Sequence, residues 1–182
     1  KESGGFIQLT GEVGTGKTTL VRSLLEQLPE SADVAVVLNP QLSRSEFLAA
    51  ICEELGVPLP EQKSSIKALT DALNQALLRN HSAGRRTVLI VDEAQNLRIE
   101  VLEQVRLLTN LETAKQKLLQ IILIGQPELR ELLARNDLRQ LALRVRAQHA
   151  RMDVALPADR RRVAQRLGDA LDDPDDLPLR PA

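Results

Sequence analysis

The sequence predicts a three-layer α/β sandwich built on a parallel sheet, and three observations predict it. Four short runs are nearly continuous in hydrophobic residues and rich in Val and Ile, the pattern of strands buried on both faces. Between them lie stretches whose apolar residues recur with helical period, so strand and helix alternate along the chain. The first run leads through closely spaced glycines into one of those helices, an arrangement suited to holding an anion at a helix N-terminus.

In chain order, "FIQLT" (Phe6–Thr10) is the first strand, and Leu20, Val21, Leu24, Leu25 and Leu28 mark one face of the helix after it. "VAVVLN" (Val34–Asn39) is the second strand. "SRSE" then places Ser43 and Glu46 as a capping box ahead of the stripe Phe47, Leu48, Ile51 and Leu55. The Pro- and Ser-containing segment Gly56–Ser65 reads as a connector to a helix carrying Ile66, Leu69, Leu73 and Leu77. "TVLIVD" (Thr87–Asp92) is the third strand and Val101, Leu102, Val105 and Leu108 the next helical stripe. "LLQIILIG" (Leu118–Gly125) is the fourth strand, and a fifth falls near His149–Leu156. We divide the chain into a core over residues 1–156 and a C-terminal helix with a flexible tail over 157–182.

Composition narrows the function classes. The 182 residues carry a net charge of −1, which gives no global electrostatic reason to bind nucleic acid or acidic lipid. Cys52 is the lone cysteine, so an internal disulfide and a multi-cysteine metal site are excluded, and its helical neighbours point to core packing. His81 and His149 are far apart, which argues against zinc. With Phe6 and Phe47 as the whole aromatic content, the chain lacks the exposed rings on which single-stranded bases stack. No apolar run is long enough to span a membrane, so we expect no direct membrane contact and a cytoplasmic location. The first strand begins a few residues after Lys1, which reads as a domain core cut from a longer protein.

Gly11, Gly16, Lys17 and Thr18 satisfy G-x-x-x-x-G-K-[ST] at every fixed position. The whole loop, Gly11, Glu12, Val13, Gly14, Thr15, Gly16, Lys17, Thr18 and Thr19, is the expected phosphate cradle. Its glycines let the backbone turn tightly around an anion with N–H groups inward. Lys17 reaches the β- and γ-phosphates, and the Thr18 hydroxyl is a ligand for Mg²⁺.

"VLIVDEAQ" ends a buried strand in Asp92 and Glu93, at the sheet edge where open α/β folds bind ligands. Asp92 is placed to hold Mg²⁺ through water, and Glu93 to orient and polarise an attacking water. This pair favours ATP hydrolysis. In "IILIGQPELR", Gln126 comes at a strand end, where it can contact the water or the γ-phosphate, or else cap the helix that Pro127 begins. Arg139, Arg144 and Arg146 come next, in a basic stretch. An arginine supplied to a neighbour's γ-phosphate raises rates by about 10³–10⁵ in other phosphoryl-transfer systems, and Arg144 is the first candidate here, Arg139 the second. The alternative for all of them is a solvated basic face.

Taken in order, the phosphate loop, "VDEAQNL", "LLTNLET" and "LLQIILIGQPELRELLARNDLRQLALRV" closely resemble AAA+ ATPases of the general secretion pathway protein A family, which are related to transposition ATPases. The likeness runs from about Phe6 to Leu156. It implies a five-stranded parallel sheet in the order 5-1-4-3-2, with Lys17 and Thr18 as the Walker A pair, Asp92 and Glu93 as the Walker B pair, Gln126 at the sensor-1 position and Arg144 as the finger. It also implies ATP and Mg²⁺ as ligands, homo-oligomerisation on ATP binding, a secretion-machinery partner, and a place on the cytoplasmic side of an inner membrane. The family's helical lid is largely absent, since the segment after the fifth strand is too short and Arg161, Arg162 and Arg166 match its arginine poorly by position. Other readings of the same motifs are a duplex-DNA-binding ATPase that regulates transposition and a nucleotide-dependent interaction module with negligible hydrolysis.

Overall fold

A computed structural model of the chain describes residues 6–38, 41–112, 117–135 and 151–153. The elements are β1 (Phe6–Thr10), α1 (Lys17–Gln27), β2 (Ala32–Val37), α2 (Arg44–Glu54), α3 (Ile66–Ser82), β3 (Arg86–Val91), a 3₁₀ turn (Ala94–Asn96), α4 (Ile99–Leu108), β4 (Gln120–Gly125), α5 (Glu128–Leu133) and β5 (Arg151–Asp153). The strands form one five-stranded sheet in the order β2-β3-β4-β1-β5, and every pairing is parallel. This is the predicted order. Strand β1 thus lies between β4 and β5, with Phe6 opposite Ile121 and Gln8 opposite Arg151.

The period-2 pleat divides the apolar strand residues between two cores. Phe6, Val37, Leu89, Val91, Ile121 and Leu123 face one side, where α2, α3, α4 and α5 cover them. Ile7, Leu9, Val88, Ile90, Ile122 and Ile124 face the other, where Leu20, Val21 and Leu24 of α1 pack. Full burial of each large side chain is worth about 1.5–3 kcal/mol, so the strands owe their place in the sheet to both layers. The helix α1 stripe is narrower than its sequence suggests. Leu25 is exposed at 36%, because an eleven-residue helix on this face needs only its i, i+1 and i+4 positions to cover the strands.

Helix α2 begins at the predicted capping box: the Ser43 hydroxyl accepts from the Glu46 N–H, and the Glu46 carboxylate accepts from the Ser43 N–H at 2.8 Å. Cys52 is fully buried, its thiol within 4.0 Å of the Leu69 carbonyl, and burial raises its pKa. Two strands start or stop away from their apolar runs. Strand β2 begins at Ala32 and ends at Val37, since pairing with β3 recruits Ala32 and Asp33 while Leu38 turns out at 63% exposure. Leu118 and Leu119 are buried ahead of β4 rather than in it, and the Leu118 N–H bonds to the Leu111 carbonyl. Among the described residues no helix is long and apolar enough to cross a membrane.

Candidate functional site

The carboxyl ends of β1, β3 and β4 are neighbours in the sheet, and each delivers one polar segment to the same edge. From β1 comes the loop Gly11–Gly16. Gly14 and Gly16 both sit in the left-handed region, at φ 80° and φ 84°, where a side chain would strain the backbone. Gly16 is the N-cap of α1 and has no side chain to satisfy that helix's first amides, so these N–H groups stay available to an anion. A turn closes over Glu12: its carbonyl accepts from the Thr15 N–H at 3.3 Å and from the Thr15 hydroxyl at 2.8 Å.

Lys17 is the first residue of α1 and is 7% exposed. Its ammonium folds back into the loop, donating to the Gly11 carbonyl at 2.8 Å and the Glu12 carbonyl at 3.0 Å. Both hydrogen-bond partners are neutral carbonyls, and the ammonium's charge is felt by the Asp92 carboxylate. Thr18 and Thr19 stand exposed on the same turn, and Val13 is exposed at the loop's tip.

Asp92 comes directly after β3 and is 5% exposed. Its pKa is raised, first by burial, against the favourable N–H of Glu93 and the positive charge of Lys17. The Glu93 N–H donates to Asp92 Oδ1 at 2.9 Å. Glu93 itself has φ 51° and ψ 38°, the left-handed region, and among the described residues it is the one non-glycine there. That conformation costs about 1–2 kcal/mol for a residue with a Cβ. It turns the chain out of the strand into the 3₁₀ turn, leaving the Glu93 carboxylate half-buried at the edge.

Gln126 comes directly after β4. Its side chain does not cap α5, which has Pro127 as N-cap and no side-chain cap bond. Instead Gln126 Nε2 points to Glu93 Oε2 at 3.4 Å, and its main-chain N–H donates to Gln95 Oε1 at 3.0 Å. Gln95 Nε2 in turn donates to Glu93 Oε2 at 2.5 Å. Behind these, the Gly125 carbonyl accepts from the Gly11 N–H at 3.1 Å, and Arg130 of α5 donates from Nε to the Thr10 hydroxyl at 2.8 Å.

The structure therefore brings together Lys17, Asp92, Glu93 and Gln126, with the glycine loop beside them. Arg139, Arg144, Arg146, Arg161, Arg162 and Arg166 lie outside the described residues. Sequence reading missed Gln95, Gly125 and the Thr10–Arg130 link. The available signal was the Gln two places after Glu93, in a segment too short for a helix to explain it. Magnesium fits the donors present: Thr18 supplies a hydroxyl and Asp92 a buried carboxylate, hard oxygens that leave room for phosphate and water ligands. Among the described residues no group of three His, Cys, Asp or Glu gathers into an all-protein metal site.

A parallel sheet in this order, with a glycine loop between β1 and α1, is the fold of P-loop nucleoside triphosphatases. The AAA domain family matches residues 1–133, and the chain belongs to it. It is also 53% identical over 149 residues to general secretion pathway protein A of Aeromonas hydrophila, covering 82% of this chain but 27% of that protein. Among solved structures, Cdc6p from Pyrobaculum aerophilum superposes with a TM-score of 0.63 at 19% identity, over 80% of this chain and 38% of that one. The ORC2 protein of Aeropyrum pernix, in its ADPNP–ADP complexes, gives a TM-score of 0.62 at 18% identity, over 91% of this chain and 46% of that one. These two establish likeness of fold.

Proposed function

We propose that the chain binds ATP and hydrolyses it, as the ATPase core of a larger protein that drives assembly of a secretion complex. The observation that carries the chemical part is that a Lys17-bearing glycine loop and the Glu93 carboxylate, bonded by Gln95 and Gln126, leave the same edge of the sheet. The secretion role rests on the 53% identity to general secretion pathway protein A.

On ATP binding, Lys17 exchanges its two loop carbonyls for phosphate oxygens, an exchange favoured because it trades neutral acceptors for anionic ones. The free amides at the start of α1 take the remaining phosphate charge. Thr18 and Asp92 would hold Mg²⁺, which would supply charge neutralisation to the phosphates. Glu93 accepts the proton of a water whose oxygen bonds to the γ-phosphorus while the bond to the β–γ bridging oxygen breaks. Gln126, which contacts the same carboxylate, senses that phosphate in this reading. Arg144 of a neighbouring copy completes the charge at the γ-phosphate, so turnover depends on assembly.

The test is ATP turnover per mole of chain, with Mg²⁺, across a wide range of protein concentration. Specific activity that climbs with concentration, and stops climbing in Arg144→Ala, supports the assembled ATPase. Nucleotide binding with flat, negligible turnover makes the chain a binding module instead.

A further inference from the structure

We propose that Gln95 is a positioning residue for hydrolysis: it clamps the Glu93 carboxylate to the end of β4, so that the sensor strand and the catalytic carboxylate move as one unit. This role rests on Glu93 being the catalytic carboxylate. One side-chain amide is used at both ends.

The orientation of that amide is settled by chemistry. The main-chain N–H of Gln126 can only donate, so the Gln95 group facing it at 3.0 Å is the carbonyl Oε1. The NH₂ then faces Glu93 Oε2, an acceptor, at 2.5 Å. A flipped amide would oppose donor to donor and oxygen to carboxylate, so the two partners enforce each other. A glutamate at this position keeps the first bond and loses the second.

The backbone is built to admit the clamp. A Cβ on Gly125 would lie 2.6 Å from Gln95 Oε1 and 3.1 Å from Leu129 Cδ2. Gly125 is an ordinary strand residue paired with Thr10, without a positive φ, so the glycine is there for space rather than conformation. Glu93 meanwhile holds a left-handed backbone that a hydrogen bond from Gln95 to its own side chain helps to retain. With Oε2 taken by Gln95 and Gln126, the other carboxylate oxygen is the one presented to water.

The experiment compares wild type, Gln95→Ala, Gln95→Glu, Gly125→Ala, the Gly125→Ala/Gln95→Ala double variant and Glu93→Gln. Misplacing a reacting group typically costs ten- to a hundredfold in rate, so kcat is expected to fall by about that factor in Gln95→Ala, with KM for ATP within about twofold. Gln95→Glu falls at least as far. Gly125→Ala imitates Gln95→Ala, and the double variant is no worse than either, the non-additivity of a shared contact. The side-chain amide signals of Gln95 in a ¹H–¹⁵N spectrum supply a readout independent of turnover: they shift in Glu93→Gln and in Gly125→Ala. An unshifted Gln95 amide, or full kcat in Gln95→Ala when Glu93→Gln is inactive, overturns the clamp. Full kcat in Glu93→Gln overturns the catalytic reading beneath it.

Discussion

The loop after β1 and the loop after β3 solve the same geometrical problem in opposite ways. Both must leave a parallel strand, turn sharply and present polar groups to the sheet edge, and both use left-handed backbone to do so. The first uses Gly14 and Gly16, residues for which a φ near +80° carries no steric penalty. The second uses Glu93 at φ 51°, a residue for which it does. In the proposed role of a phosphate cradle, the first loop needs backbone N–H groups and no side chain at its turns, so glycine serves. The acidic loop, in the role proposed for Glu93, needs a carboxylate at the turn itself, and the strain is offset by the hydrogen bonds of Asp92, Gln95 and Gln126 around it.

Substitutions at the two loops sharpen the contrast. The largest effect belongs to the charged groups, and it separates the loops by function. Lys17→Ala is expected to weaken ATP binding along with turnover. Glu93→Gln retains binding and lowers kcat by about 10²–10⁴, the usual worth of a general base; fluorescent-nucleotide titration beside a phosphate-release assay distinguishes them. Equal loss of binding in both variants erases the division of labour.

The backbone comparison comes next in size. Gly16→Ala destabilises the chain by about 1–2 kcal/mol in denaturant unfolding, because alanine is forced into the left-handed region. The mirror experiment runs the other way. Glu93→Gly and Glu93→Ala both remove the carboxylate and its bonds, yet the glycine variant is the more stable by about 1 kcal/mol. Equal stability of that pair means the turn relaxes once the side chain is gone.

The smallest signal is in the pH dependence of stability. The native-state pKa of Asp92 is raised, chiefly by burial, above the 3.8 of an ordinary aspartate. Between those values the folded chain binds more protons than the unfolded one, so stability falls as pH rises through the window and is level above it. Asp92→Asn removes that fall, and at neutral pH it is expected to be at least as stable as wild type while losing Mg²⁺-dependent turnover. Thermal melts at a series of pH values check the first statement and the turnover assay the second.

The same contrast explains what the sequence made legible. Glycines announce a left-handed turn, so the loop Gly11–Thr18 could be placed on a strand–loop–helix from its residues alone. Doubly buried strands announce themselves too, since nothing but apolar residues fits between two helix layers. Glu93 carries no such flag: Asp92–Glu93 reads as an acidic pair, and only the fold reveals that the second member is strained. Gln95 was hidden for another reason. Its partner Gln126 lies beyond β4, 31 residues away in sequence, and a single Gln has no periodicity to betray a contact across strands. The strand ends drifted because pairing, not hydropathy, decides them: Asp33 is in β2 through its place opposite Thr87 and its ion pair with Arg85. Leu25 was misplaced because a stripe drawn on sequence spacing is wider than the groove it fills.

The position of β1 also has a bearing on how the chain is made. It is made before the other four strands of its sheet, yet both its neighbours come late: Phe6 pairs with Ile121 of β4, and Gln8 with Arg151 of β5. At ribosomal speeds of about 5–20 residues per second, "FIQLT" waits on the order of ten seconds for its first partner. In the last part of that interval, once β3 has been made, β2 and β3 can already pair, leaving an open edge where β4 will dock. The nascent chain thus carries an unpaired apolar strand and an unprotected sheet edge at once, the combination that invites aggregation and that chaperones bind. The site we propose for a nucleotide is assembled only at the end, because the ends of β1, β3 and β4 do not share one edge until β1 has slotted in beside β4.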